Sequence, residues 1–149
     1  MSRTARLLVT LGVLLTLALG AVSTATAGGR KVLDSTMAGL PTGSLVLSGL
    51  TGGGVPWSIS NGRVHLFADG RLHVEVEGLV VTASGVNPVA TGKAVVACGG
   101  TFADDTDVVP FSAAGDAEVD TVVGLPSPCL APAVFFTNAT NRWFAVSGF

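Results

Sequence analysis

The stretch GRVHLFADGRLHVEVE, residues 62–77, decides the fold. Val64 and Leu66, then Leu72, Val74 and Val76, alternate with His65, Phe67, His73, Glu75 and Glu77 on either side of Ala68-Asp69-Gly70. A period of two is the mark of a strand with one dry face. A two-residue Asp69-Gly70 loop would set Leu66 opposite His73 and Val64 opposite Glu75, mixing apolar and polar side chains on both faces. A sheet with one buried side does not tolerate that. A three-residue loop, with Gly70 left-handed in a bulge, instead sets Leu66 against Leu72 and Val64 against Val74. His65 then faces His73, and Arg63 faces Glu75, on the wet side. The second register is the expected one.

Outward from this hairpin the chain is rich in Val, Thr and Ala in short runs, punctuated by Gly, Pro, Asn and Asp. Such punctuation separates strands by turns. Strands are expected at 31–36, 44–50, 57–60, 63–67, 71–77, 79–83, 93–98, 108–112, 116–123, 133–137 and 142–147. No segment holds apolar residues at helical spacing for three turns. The reading is all-β, an antiparallel β-sandwich or closed barrel of short strands with one disulfide. In the strand at 116–123, Ala117, Val119, Thr121 and Val123 belong to the core face, and Asp116, Glu118 and Asp120 form a carboxylate stripe outside. The last two strands carry Phe135, Phe136, Trp143 and Phe144. Adjacent aromatics point to opposite faces of a strand, so one of each pair is expected outside the main core.

Residues 1–27 have the three parts of a secretory signal. Arg3 and Arg6 precede an uncharged, mostly apolar run at 7–22, and Ala25-Thr26-Ala27 supplies a cleavage site before Gly28, with cleavage after Ala25 as the alternative. The apolar run is short of the roughly 20 residues a spanning helix needs. The expectation is a cleaved leader and a single extracellular β-domain at 28–149, secreted, with no stable membrane insertion. Beyond the leader, six basic side chains (Arg30, Lys31, Arg63, Arg71, Lys93, Arg142) stand against ten acidic ones. No basic patch interleaves with aromatics, so nucleic acid is not an expected partner. Cys98 and Cys129 both follow the leader. In an oxidising compartment an even pair is read as a disulfide, and no C-x-x-C spacing supports catalysis or metal binding by thiols.

The polar clusters are few. His65 and His73, opposed across the hairpin with Glu75 on the same face, form a candidate His/His/Glu metal set; on the plainer reading they are surface histidines, with Glu75 paired to Arg63. Asp104-Asp105-Thr106-Asp107 gathers carboxylates, but the spacing of a calcium loop is missing, and Asp favours turns for its own reasons. Gly49-Leu-Thr-Gly-Gly-Gly54 lacks the Lys-Ser/Thr ending of a phosphate cradle and reads as a flexible connection. No nucleophile elbow or H-E-x-x-H is present. No cofactor is called for.

From residue 62 onward, GRVHLFADGRLHVEVEGLVV, GVNPVATGKAVVACGG, GDAEVDTVVGLPSPCLAPAVFFTN and WFAVSGF resemble a group of small exported proteins of high-GC actinobacteria that has no assigned activity. The resemblance implies export and brings no catalytic residue with it. The segment DGRLHVEVEGL, residues 69–79, is also similar to the strand pattern of CHRD-type extracellular β-domains, without the histidine-containing motif that follows it in that family. That similarity implies fold alone. The functional expectation is a non-enzymatic binding or cell-surface domain, contacting a protein or cell-envelope ligand through Phe136 and Trp143. Two alternatives compete with it: a metal-assisted secreted enzyme built on His65, His73 and Glu75, and an inhibitor or immunity-type partner of another secreted protein.

Overall fold

The structure, a computed structural model, describes residues 29–148. The leader and its Ala27–Gly28 junction lie outside the described residues. In chain order the strands are β1 (Lys31–Gly39), β2 (Val46–Leu47), β3 (Leu50–Thr51), β4 (Trp57–Ser58), β5 (Asn61–Phe67), β6 (Arg71–Glu77), β7 (Val80–Val81), β8 (Thr91–Cys98), β9 (Thr101–Asp105), β10 (Val109–Pro110), β11 (Ala117–Val122), β12 (Ala133–Thr137) and β13 (Trp143–Ser147). No helix occurs among the described residues, so none there is long and apolar enough to cross a membrane.

The β5–β6 hairpin has the expected register: Leu66 opposes Leu72, Val64 opposes Val74, His65 opposes His73 and Arg63 opposes Glu75. Gly70 takes φ 88°, and its N–H donates to the Phe67 carbonyl at 2.9 Å. Val64, Leu66, Leu72, Val74 and Val76 are all buried beneath this hairpin. β1 pairs with the free edge of β5, and β11 with the free edge of β6. As the alternation on β11 requires, Val119 is buried while Glu118 and Asp120 are exposed.

The main sheet runs β10-β8-β12-β13-β1-β5-β6-β11, antiparallel throughout, with β9 also on β8. It curls until β11 returns to β10 and β8, which makes the molecule barrel-like. Such curling leaves fewer open edges, the main hazard of an isolated sheet. At the seam the Asp104 carboxylate accepts the Gly124 N–H at 2.5 Å. The disulfide joins Cys98, at the end of β8, to Cys129, ahead of β12, with the Cα atoms 5.2 Å apart.

Three regions depart from expectation. β9 occupies a segment read as an acidic loop. Gly99 and Gly100, at φ 62° and 77°, make the two-residue turn that lets the chain fold back from Cys98 onto Thr101, and two glycines at positive φ suit such a turn. The acidic cluster is therefore structural: Asp105 pairs with Lys93 at 2.5 Å, and Thr106 accepts the Ala94 N–H. Second, the strand expected at 44–50 shrinks to the short β2–β3 pair, and Leu45, Val46 and Leu47 are exposed.

The third departure is the aromatic cluster. Phe136 and Trp143 were expected as a contact surface, but they are 0% and 1% exposed. Both faces of β12–β13 are covered. Trp57, Phe111, Phe136 and Phe144 form one group, with Trp57 and Phe144 ring centroids 4.1 Å apart, while Phe135 packs edge-on against Trp143. A bulge contributes: Phe136 opposes Ala145 and Thr137 opposes Trp143, so Phe144 is an extra residue without an opposite partner. Part of the cover is a strap, residues 41–56. Its Gly53 lies so close that a Cβ there would sit 2.6 Å from the Phe144 ring. Among the glycines read as a flexible connection, Gly53 is the one that lets backbone lie directly on aromatic rings, and Gly52 lies against Leu40.

Candidate functional site

The largest array of ionisable side chains lies on the outer face of β1, β5, β6 and β11. Register sets these residues in rows across four strands. One row is Asp34, His65, His73, Asp120; the next is Thr36, Arg63, Glu75, Glu118. A third carries Lys31, Phe67 and Arg71, with Phe67 flanked by the Lys31 ammonium at 5.8 Å and the Arg71 guanidinium at 4.2 Å. Side chains share this face because every second residue of each strand points the same way.

Asp34 accepts a hydrogen bond from Lys31 Nζ at 2.7 Å and lies 3.0 Å from His65 Nδ1. The Lys31 hydrogen bond, with the positive charge beside it, holds the Asp34 carboxyl below its ordinary value of 3.8. Lys31 Nζ is also 3.4 Å from His65 Nδ1. On the other side, His73 Nδ1 is 3.9 Å from Glu118 Oε1 and 4.0 Å from Asp120 Oδ2. The two imidazole planes lie 13° apart, with centroids separated by 6.0 Å. At the hairpin tip, burial pushes the Asp69 carboxyl up, but the Arg71 backbone and guanidinium hydrogen bonds outweigh it, and the net shift is downward.

The structure thus brings His65 and His73 together and leaves Glu75 apart from them. Glu75 is two residues along β6 from His73, about 7 Å at strand rise, and no three His, Cys, Asp or Glu side chains among the described residues are gathered closely enough to hold one ion. Arg63, opposite Glu75 in register, forms no ion pair with it among the described residues. The stripe at 116–120 is divided in role. Asp116 accepts the Gly78 N–H at 3.0 Å and the Ser112 hydroxyl at 3.2 Å, which fixes a turn, while Glu118 and Asp120 stay on the open face.

Clefts indent the described surface elsewhere, three of them as follows. One of about 150 Å3 lies between Arg30, Val32, Ala68 and the segment 125–129; one of about 330 Å3 lies between residues 49–51 and 140–142; one of about 220 Å3 lies beside Asn87 and Phe111. None of these three is lined by a histidine or a carboxylate. Active sites usually place their acids and bases in a concavity that screens them from water, and here the imidazoles lie on an open sheet.

Within the segment expected as a strand at 44–50, the strap holds Leu45, Val46 and Leu47 outward at 37%, 57% and 37% exposure, and Val55 beyond it is 43% exposed. The signal was present in the Ser and Gly residues that crowd SLVLSG, which favour a turn over a core strand. No family model matches the chain, and comparison with curated proteins and with solved structures finds no similar protein.

Proposed function

We propose that this chain is an exported domain that works by binding, not catalysis, in the extracellular space or at the cell envelope. The observation that carries the reading is the strap. It covers packed aromatics with glycine backbone and turns Leu45, Val46, Leu47 and Val55 to the outside. Burying such aliphatics against a partner removes apolar surface from water, at roughly 25 cal/mol per Å2, and several large exposed aliphatics on one segment favour a contact surface. This patch takes the role that Phe136 and Trp143 had in the sequence reading. Export is supported by the leader-like pattern at 1–27 and by the Cys98–Cys129 bridge, since disulfides persist in oxidising compartments.

The occupant we assign is another exported protein of the same envelope. The test is fractionation of a host secreting the full chain. A product beginning at Gly28 or Thr26 is expected outside the cytoplasm, bound to envelope protein, and released to the medium by Val46→Asp with Leu47→Ser. A product retained in the cytoplasm overturns export. Equal partition of the wild type and the variant overturns the contact surface.

A further inference from the structure

We propose that His65 and His73 form a two-histidine chelate for a divalent transition-metal ion, copper(II) foremost, on the outer face of β1, β5, β6 and β11. Imidazole nitrogen suits copper and zinc, and copper(II) binds tightest of the first-row divalent ions to such ligands. This site shares no residue with the strap and does not rest on the docking reading.

Three observations carry the assignment. The first is placement. The two residues are directly opposed in a hairpin whose other face is fully packed, so the backbone holds the pair in position before any ion arrives. The second is span. A metal about 2.0–2.1 Å from a nitrogen of each ring separates the ring centres by roughly 5–6 Å, and the observed separation is 6.0 Å. The third is orientation. His65 turns its Nδ1 toward Asp34 on β1, and His73 turns its Nδ1 toward Glu118 and Asp120 on β11. In each ring Nε2 is separated from Nδ1 by Cε1 alone, and no hydrogen bond or ion pair among the described residues engages it, so Nε2 is the nitrogen offered to the metal. A histidine that binds metal through one nitrogen is commonly steadied by a carboxylate at the other.

Local charge favours a cation. Asp34, Glu75, Glu118 and Asp120 surround the pair, against Lys31, which is already paired with Asp34, and Arg63. The protein contributes two nitrogens and water completes the shell. Glu75, a diagonal step away, is not a ligand.

The experiment titrates copper(II), supplied as its glycine complex, into the purified oxidised domain, with calorimetry and electron paramagnetic resonance as readouts. One ion per chain is expected, with nitrogen coupling from two imidazoles. His65→Ala and His73→Ala should each weaken binding about tenfold or more and remove one nitrogen from the spectrum. Asp34→Asn should weaken it several-fold through loss of the orienting partner, and Glu75→Gln should leave it unchanged. His65→Gln and His73→Gln repeat the test with side chains closer in size, should either alanine variant unfold. Absence of saturable binding, wild-type affinity in either histidine variant, or a loss in Glu75→Gln equal to theirs overturns the proposal.

Discussion

The Leu45 carbonyl accepts the indole N–H of Trp143 at 3.2 Å, joining residues 98 positions apart in the chain. Backbone hydrogen bonds add to it: Gly53 N–H donates to the Trp143 carbonyl at 3.0 Å, and Gly52 N–H to the Leu45 carbonyl at 2.9 Å. Nothing at Gly53 has room for a side chain. Gly53→Ala would place its methyl 2.6 Å from the Phe144 ring and 3.1 Å from Trp57 Nε1. Overpacking of this kind costs about 1–3 kcal/mol. Urea denaturation followed by tryptophan fluorescence should show that loss, with an altered emission spectrum in the folded state.

The Cys98–Cys129 bridge spans 31 positions. On the chain-entropy account, opening a loop of that size costs about 3–4 kcal/mol, a large share of a small domain's stability of roughly 5–15 kcal/mol. Cys98→Ala with Cys129→Ala should lower the denaturation midpoint accordingly. Reduction of the wild type should reproduce that shift, and should leave the double variant unaffected.

Lys93 and Asp105 make the most enclosed ion pair among the described residues, with side-chain exposures of 12% and 32%. Removing the carboxylate strands an ammonium that water barely reaches, at a cost of about 1–3 kcal/mol. Asp105→Ala should therefore destabilise more than Lys93→Met, which leaves no buried charge and a carboxylate that is partly wet. The double variant should recover part of the loss. A double-mutant cycle in urea measures it.

Asp34 titrates below 3.8 in the folded protein because Lys31 donates to it and stands beside it as a cation. A depressed folded value means that the pairing stabilises the fold above the unfolded value, and that this contribution fades as pH falls through the folded one. The Asp34 carboxyl resonance should show a midpoint below 3.8, and Lys31→Met should move it upward. Any stability lost in that variant at pH 7 should fade as the pH falls through the folded value.

Local pattern decided the β5–β6 hairpin. Loop length and alternation over 16 residues leave one register in which apolar side chains meet, and that register is present. It also made the opposition of His65 and His73 legible. Asp34 and Asp120 were not legible as their neighbours, because β1 and β11 reach this face from distant parts of the chain. β9 was missed for a different reason. The Asp-rich run that begins within it suggested a loop, although Gly99-Gly100 is itself a hairpin signal.

Alternation, turn residues and the cysteine pair were enough, without coordinates, to determine an all-β chain, its central hairpin and its covalent bridge. These depend on neighbours within a few residues or on one bond. Burial of Phe136 and Trp143, exposure of Leu45 to Leu47, and the row from Asp34 to Asp120 were decided by the tertiary structure alone. Periodicity separates the two sides of a strand but does not say what lies over each. Here a strap of glycine backbone covers the aromatics, and the curl of the sheet brings remote strands side by side.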